Sequence, residues 1–251
     1  MTESMTIRQQ KQFKILLVGD NCIDIYQYGT VDRLSPEAPV PIFVPTHKEE
    51  REGMAGNVYA NLKALGCDVN LICGSASRKT RLVDSRSKQQ ILRMDQDHES
   101  IPIVNIDSNG YDAIVISDYN KGVVSYELIE RLIATKLPVF IDTKKTDLAR
   151  MQGAWVKINE LEYSKIKSEC SGLIVTRGDK GAEVKHHDIF LSAPKVEVVD
   201  VTGAGDTFLA ALTYNWLHTK NIERAVSFAI SASSITVQHF GCYAPTMEEI
   251  L

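Results

Sequence analysis

Residues 198–216 read VVDVTGAGDTFLAALTYNW. An apolar run gives way to three small residues, Gly203, Ala204 and Gly205, which lead into an amphipathic helix. Strand, glycine-bearing turn and helix in that order are the unit from which helix-covered parallel sheets are built. Backbone N–H groups at a helix start favour an anion, and glycine lets the backbone approach a ligand closely. The amides of Gly203, Ala204 and Gly205 could therefore line an anion hole for a transferring phosphoryl group. Asp206 sits at the lip of this turn, where the helix dipole is expected to keep its carboxylate ionised. A second reading stands beside the first: a plain strand-to-helix turn that Asp206 merely caps. The local chemistry does not separate the two.

The surrounding chain alternates strands with helices. FKILLVGD is a short apolar run ending in Gly19 and Asp20, and it reads as a buried strand. In AGNVYANLKALG, Val58, Leu62 and Leu65 share a helical face and Gly66 ends it. Strands follow in DVNLICG and YDAIVISDYNKG, a helix in VSYELIERLIATK, and strands in PVFIDTKK, AWVKINE and GLIVTRGDKG. AEVKHHDIFLSA reads as a hairpin, and two helices over about 205–218 and 222–239 complete the pattern. The alternation predicts an α/β fold with a doubly wound, mostly parallel sheet and helices on both faces. Ligands of such sheets bind beyond the carboxyl ends of the strands. The polar tips GDNCID, SDYNKG, DTKK, NELE and TRGDKG all fall there. VPIFVP and TRLVDSRSKQQILRMDQD break the alternation. They predict a small β lid over the site, with strands within about 21–45 and 80–95, inside a single domain covering 1–251.

Composition narrows the classes. The chain has 251 residues, 44% hydrophobic and 24% charged, with a net charge of −4. That balance gives no basis for nucleic-acid or acidic-membrane binding. No run of apolar residues is long enough to span a bilayer, and the N-terminal MTESMTIRQQKQFK has no signal-peptide core. Five cysteines are scattered without a C-x-x-C pair, which fits reduced thiols in a cytoplasmic protein and argues against a zinc site. His186 and His187 read as an exposed hairpin, not as ligands.

Further motifs lie at the strand tips. In TRGDKG, Thr176 supplies a hydroxyl while Gly178 and Gly181 free the backbone; an ordinary glycine hairpin would look the same. EGMAGNVYANLKALG is a third glycine-bearing turn before a helix, in which Asn57 could bond a polyol or simply start the helix. Asn159 and Glu162 in NELE lie three apart, on one face if helical; a solvated helix start and a magnesium–water contact are both open. Asp24 follows the first strand and could grip sugar hydroxyls, whereas Asp142, Lys144 and Lys145 read as exposed charges. There is no G-x-x-x-x-G-K-[ST], which excludes a P-loop kinase. GAGDTF ends in Phe208, which argues against a dinucleotide site.

Four blocks in this order and spacing carry a family resemblance. DVTGAGDTFLAALT resembles the C-terminal signature of the ribokinase-like (PfkB) carbohydrate kinases. EGMAGNVYANLKALG resembles their N-terminal glycine signature, with Met54 where a second glycine is usual; NELE resembles their N-x-x-E motif and TRGDKG their T-x-G-x-x-G turn. GDNCIDIYQYGTVDRLSPEAPVPIF, SRSKQQILRMD, ISDYNKGVV and PVFIDTKKTD are similar to the kinase domain of D-glycero-D-manno-heptose 7-phosphate kinases, which act in bacterial ADP-heptose synthesis. Those enzymes often carry a fused adenylyltransferase; no such domain is expected here, because no H-x-G-H occurs. The segments after LICGSA, after DQD and between NELEYSKIK and GLIVTR are shorter than the resemblance leads one to expect.

The resemblance implies a cytoplasmic phosphotransferase using ATP and Mg2+ on the anomeric hydroxyl of a heptose 7-phosphate. A kinase for another sugar, sugar phosphate or nucleoside, and a non-catalytic sugar- or nucleotide-binding relative, are the alternatives. Asp206 would be the general base, with Gly203, Ala204 and Gly205 as the anion hole. Thr176, Gly178 and Gly181 would lie along ATP, and Asn159 and Glu162 would organise magnesium through water. Asp24, Gly53 and Asn57 would bind the sugar. Arg33, Arg81, Arg93 and Lys121 are the candidates for its phosphate. Many relatives also bind a monovalent cation such as K+; Asp200, Val201 and the turn before Cys242 are the candidate positions. The only partner implied is the small-molecule substrate, with a homodimer through the lid strands as a further expectation.

Overall fold

The computed structural model describes residues 12–98 and 100–251; the polar stretch 1–11, read above as lacking a signal core, lies outside the described residues. Strand β1 (Lys14–Gly19) opens the main sheet. With only Asp20 intervening, β2 (Asn21–Leu34) leaves for the lid, and β3 (Pro41–Met54) returns and runs straight into helix α1 (Ala55–Ala64). Strand β4 (Asp68–Cys73) pairs parallel with β1, and β5 (Ser77–Asp84) and β6 (Gln90–Gln96) complete the lid. The chain then re-enters the main sheet through β7 (Ala113–Asp118), α2 (Tyr126–Ala134), β8 (Val139–Thr143) and β9 (Trp155–Asn159). One-turn α3 (Glu160–Tyr163), β10 (Leu173–Thr176) and the hairpin β11 (Ala182–Val184) and β12 (Ile189–Leu191) follow. Helices α4 (Ala204–Thr219), α5 (Ile222–Thr236) and α6 (Met247–Ile250) end the chain.

The main sheet has the order β12-β11-β10-β9-β8-β7-β1-β4 and is parallel except for the hairpin at one edge. Strands β1, β7 and β8 are central because their apolar runs are buried on both faces. Alternate residues point to opposite sides. Ile15, Leu17, Val115 and Phe140 pack with Val58 and Leu62 of α1, Leu209 and Leu212 of α4 and Val226 of α5. Leu16, Val18, Ile114, Ile116 and Ile141 pack with Leu128, Ile129 and Leu132 of α2 and with Leu148 and Met151 of a short 3-10 turn. The two faces are unequally covered, since α2 is the only helix of more than one turn on the second face among the described residues. Only one-turn α3 stands between β9 and β10. No described helix is long and apolar enough to cross a membrane.

The lid is a second, four-stranded sheet of order β3-β2-β5-β6. Strands β2 and β3 pair antiparallel from Asn21↔Met54 to Leu34↔Pro41, β2 and β5 pair parallel, and β5 and β6 antiparallel. Its inner side buries Tyr26, Tyr28 and Val83 against Phe240, while β6 is exposed along its whole length. The base of the lid stands at the carboxyl ends of β1 and β7, where Asp20 N–H donates to the Ser117 carbonyl at 3.0 Å.

Candidate active site

Asp206 is the centre of the site. Gly203 takes the left-handed conformation, φ 81°, that turns the chain into α4, and Asp206 falls in the first turn of that helix. Its side chain is only 4% exposed. Asn57 Nδ2, from α1, donates to Oδ2 at 2.8 Å, and the Tyr119 hydroxyl, from the tip of β7, donates to Oδ1 at 3.0 Å. Burial raises the Asp206 pKa to about 6, with Asp142 adding to the rise; the hydrogen bonds from Asn57 and Tyr119 and the charge of Lys157 oppose it. Sequence reasoning expected the helix dipole to keep the carboxylate ionised; burial in the first turn of α4 raises its pKa, but at about 6 the group is still mostly ionised at pH 7.

The anion-hole residues stand beside this carboxylate. Ala204 N–H leans on the Val201 carbonyl at 3.3 Å, while the amides of Gly203 and Gly205 have no protein acceptor among the described residues. Both glycines are also required sterically. A Cβ on Gly203 would sit 2.6 Å from Asn57 Nδ2, and one on Gly205 would sit 2.7 Å from Lys157 Nζ. Lys157 and Asp142, each about 5% exposed, form an ion pair at 2.7 Å directly beneath Gly205. Lys145 and Asp118 form a second buried pair at 3.2 Å. Asp142 and Lys145 were expected to be exposed charges; both are buried, Asp142 against Lys157 of β9 and Lys145 against Asp118 and Asn120 at the tip of β7.

Asn159 and Glu162 do not share a helical face. Asn159 is the cap of α3: its Oδ1 accepts from Glu162 N–H at 2.8 Å, and Glu162 Oε2 accepts from Asn159 N–H at 2.8 Å. The other Glu162 oxygen faces Lys144. Thr176 Oγ1 donates to the Ile158 carbonyl at 3.3 Å. Gly178, at φ 58°, has open space where a Cβ would be, whereas a Cβ on Gly181 would strike the Leu191 carbonyl of the hairpin. Gly178 therefore faces outward and Gly181 serves close packing. No described group of three or more His, Cys, Asp or Glu forms a direct metal cage.

The sugar-side candidates lie where the lid meets the sheet. Asp24, in β2 and 4% exposed, pairs with Arg81 of β5. Gly53 lies in β3, not in a turn, and a Cβ there would collide with the Asp24 carboxylate. Asn57 is committed to Asp206 and to Asn61, whose Nδ2 donates to Asn57 Oδ1 at 3.2 Å. Lys121 pairs with Asp97, and its backbone N–H donates to Asp20 Oδ2 at 3.2 Å; no contact joins its side chain to Asp206. Arg93 pairs with Asp95 at 2.6 Å. Sequence reasoning missed Tyr119 and Lys157, whereas Lys144, read as an exposed charge, is exposed. A lysine inside the apolar strand WVKIN is a signal for a buried partner, and Tyr119 lies in a strand tip already marked as facing ligand.

The model of the pfkB family of carbohydrate kinases matches residues 148–250. Bifunctional protein HldE of a Nitratiruptor species is 34% identical over 300 residues, covering 94% of this chain and 64% of that protein. The chain therefore spans less than two thirds of that relative's length. The aligned length exceeds the 251 residues of this chain, so the relative carries extra residues inside the matched region. Ribokinase of Arabidopsis thaliana complexed with ribose and ATP superposes with a TM-score of 0.71 at 16% identity, covering 96% of this chain and 98% of that one. Phosphofructokinase-2 of Escherichia coli in complex with potassium gives 0.71 at 14% identity, covering 96% and 97%. At such identities the likeness speaks for the fold, which is the ribokinase fold with its lid. The pfkB family model thus matches the segment that holds Asp206, and the likeness to HldE runs along nearly the whole chain.

Proposed function

We propose that the chain is an ATP-dependent sugar kinase in which Asp206 is the general base. The observation that carries this reading is the doubly held, buried Asp206 carboxylate beside the amides of Gly203 and Gly205. With a pKa of about 6 it is mostly ionised at pH 7, yet basic enough to take a proton. Asp206 accepts the proton of the acceptor hydroxyl as that oxygen bonds to the γ-phosphorus. The bond from the γ-phosphorus to the bridging oxygen breaks, and ADP leaves with the electron pair. Positioning and charge stabilisation dominate such transfers. The Gly203, Ala204 and Gly205 turn supports developing phosphoryl charge, and the Lys157–Asp142 pair fixes the floor beneath it.

Thr176, Gly178 and Gly181 are assigned to the nucleotide side, with open Gly178 the nearest approach of backbone to phosphate or ribose. We assign magnesium to Glu162 through water, since Mg2+ keeps several waters and binds few protein carboxylates; a metal-bound water would share the oxygens that now accept from Asn159 N–H and face Lys144. Asn159 holds Glu162 in place, and the metal, when bound, neutralises phosphate charge. Asp24, brought in by Gly53 and oriented by Arg81, faces the sugar side together with Asn57. The acceptor we propose is the anomeric hydroxyl of D-glycero-D-manno-heptose 7-phosphate, giving the 1,7-bisphosphate. Support comes from the heptose-kinase-like blocks, which include Asp24, Arg93 and Tyr119. These residues would form a cytoplasmic kinase domain, with the lid edges open to pairing between copies.

A second reading, a kinase for an acceptor without its own phosphate, is favoured by one observation. Arg81, Arg93 and Lys121 each already face a carboxylate, so a phosphate would have to displace or share them. Incubation with ATP and a panel of sugars, sugar phosphates and nucleosides, read by mass spectrometry, separates the two. Asp206→Asn is expected to lower turnover on the accepted sugar by about a thousandfold or more, the scale of a general base with transition-state contacts. Normal turnover in that variant would sink the mechanism, and tight ligand binding with no acceptor ever phosphorylated would favour a binding protein instead.

A further inference from the structure

The candidate cation position, between Asp200 and the turn before Cys242, already meets a cation of the protein's own. Arg51 reaches across from β3, where it pairs opposite Asp24. Its Nη1 donates to the Phe240 carbonyl at 2.6 Å and, more weakly, to the Cys242 carbonyl at 3.5 Å. Its Nη2 bonds Glu49 at 3.0 Å, and the guanidinium lies 5.4 Å from the centre of the Tyr26 ring. Gly241 stands between the two carbonyls at φ 72°, and a Cβ there would come within 2.5 Å of Nη1. Glycine at this point is what admits the guanidinium.

Asp200 is equally engaged. Its Oδ2 accepts from Gly241 N–H at 2.9 Å, and its Oδ1 accepts from Thr202 N–H at 2.9 Å and the Thr202 hydroxyl at 2.7 Å. The same turn packs on the anion hole, since a Cβ on Gly203 would lie 3.4 Å from Cys242 Sγ. A bound K+ needs these carbonyl and carboxylate oxygens converging on open space. Here they converge on a guanidinium and on neutral donors, so the residues present do not fit a monovalent cation.

We propose that the Arg51 guanidinium stands in for a bound monovalent cation. It fixes the turn 240–242 and, through Asp200 and Thr202, sets the amides at the start of α4. Arg51 is thus a positioning residue, carried on the lid, for the phosphoryl-binding turn. The role of those amides rests on the kinase reading above; the preference for guanidinium over K+ does not. Melting temperature and ADP affinity are measured in KCl, NaCl and tetramethylammonium chloride at equal ionic strength. The wild-type values are expected to be the same in all three, and a rise specific to K+ overturns the proposal. Arg51→Ala is expected to bind ADP about tenfold more weakly, the size of one charge-assisted hydrogen bond. K+ or methylguanidinium should restore part of that loss and tetramethylammonium should not. A variant identical to wild type, or a loss that no cation restores, overturns the proposal. Should Arg51→Ala fail to fold, Arg51→Gln, which keeps donors without the charge, is read the same way. Neither readout requires phosphoryl transfer, so failure to find an acceptor would count against the kinase reading alone.

Discussion

Asp206 has a measurable signature in pH. A base must be deprotonated, so kcat/KM should fall as pH drops through about 6, with a slope of one proton. Tyr119→Phe removes a hydrogen bond that favours the charged form, so the acid limb should move to higher pH, with turnover reduced about tenfold or less. The stability sign is opposite to that of a salt-bridged carboxylate. A folded pKa raised above the unfolded value of 3.8 means that the native state binds more protons between 3.8 and about 6. Stability from this group is therefore lost as pH rises through that window, and the charge stays unfavourable at pH 7. Asp206→Asn should melt at or above the wild-type temperature at pH 7 while losing activity, which thermal melts beside the turnover assay would check. The site thus trades stability for a poised base.

At the scale of elements, the carboxyl ends of β8 and β9 carry the floor of the site. Lys157 and Asp142 satisfy one another where neither is exposed, and removing one partner of such a pair leaves an uncompensated buried charge. Lys157→Met should cost about 3–5 kcal/mol in urea unfolding, and adding Asp142→Leu should recover most of that loss. Met54 shows a second balance. It takes φ 53°, unusual for a side chain, at the junction of β3 and α1, a cost of about 1–3 kcal/mol. Its side chain is 3% exposed, and burial of such a side chain returns about 1.5–3 kcal/mol. The departure from the usual glycine is thus compatible with the turn.

Across the whole molecule, what could be read from the sequence follows from how local each signal is. Strands β1, β7 and β8 announce themselves because a strand buried on both faces is a continuous apolar run. The turn before α4 does so because glycine, small residue and acid are adjacent. The grip on Asp206 was not legible: Asn57, Tyr119 and Asp206 come from α1, a strand tip and α4, and only the closed sheet brings them together. Asp142 and Lys145 read as exposed because their partners lie on neighbouring strands. Arg51 was hidden in the charged run KEEREG, which looks like a solvated face until the lid folds over the C-terminal turn.

The junction of lid and sheet has a mechanical consequence. Asp20 alone separates β1 from β2, and Met54 joins β3 directly to α1; the two are tied by the Ala55 N–H to Asp20 carbonyl bond at 3.0 Å. Beyond that tie, two paired strands of 14 residues extend without a flexible connector. Such a pair is a lever arm some tens of ångströms long. A rotation of only about 5° at its foot would displace the far end by roughly 4 Å over that length. A change of a few degrees at one peptide could thus open a gap about as wide as a water molecule, with no loop needing to unfold.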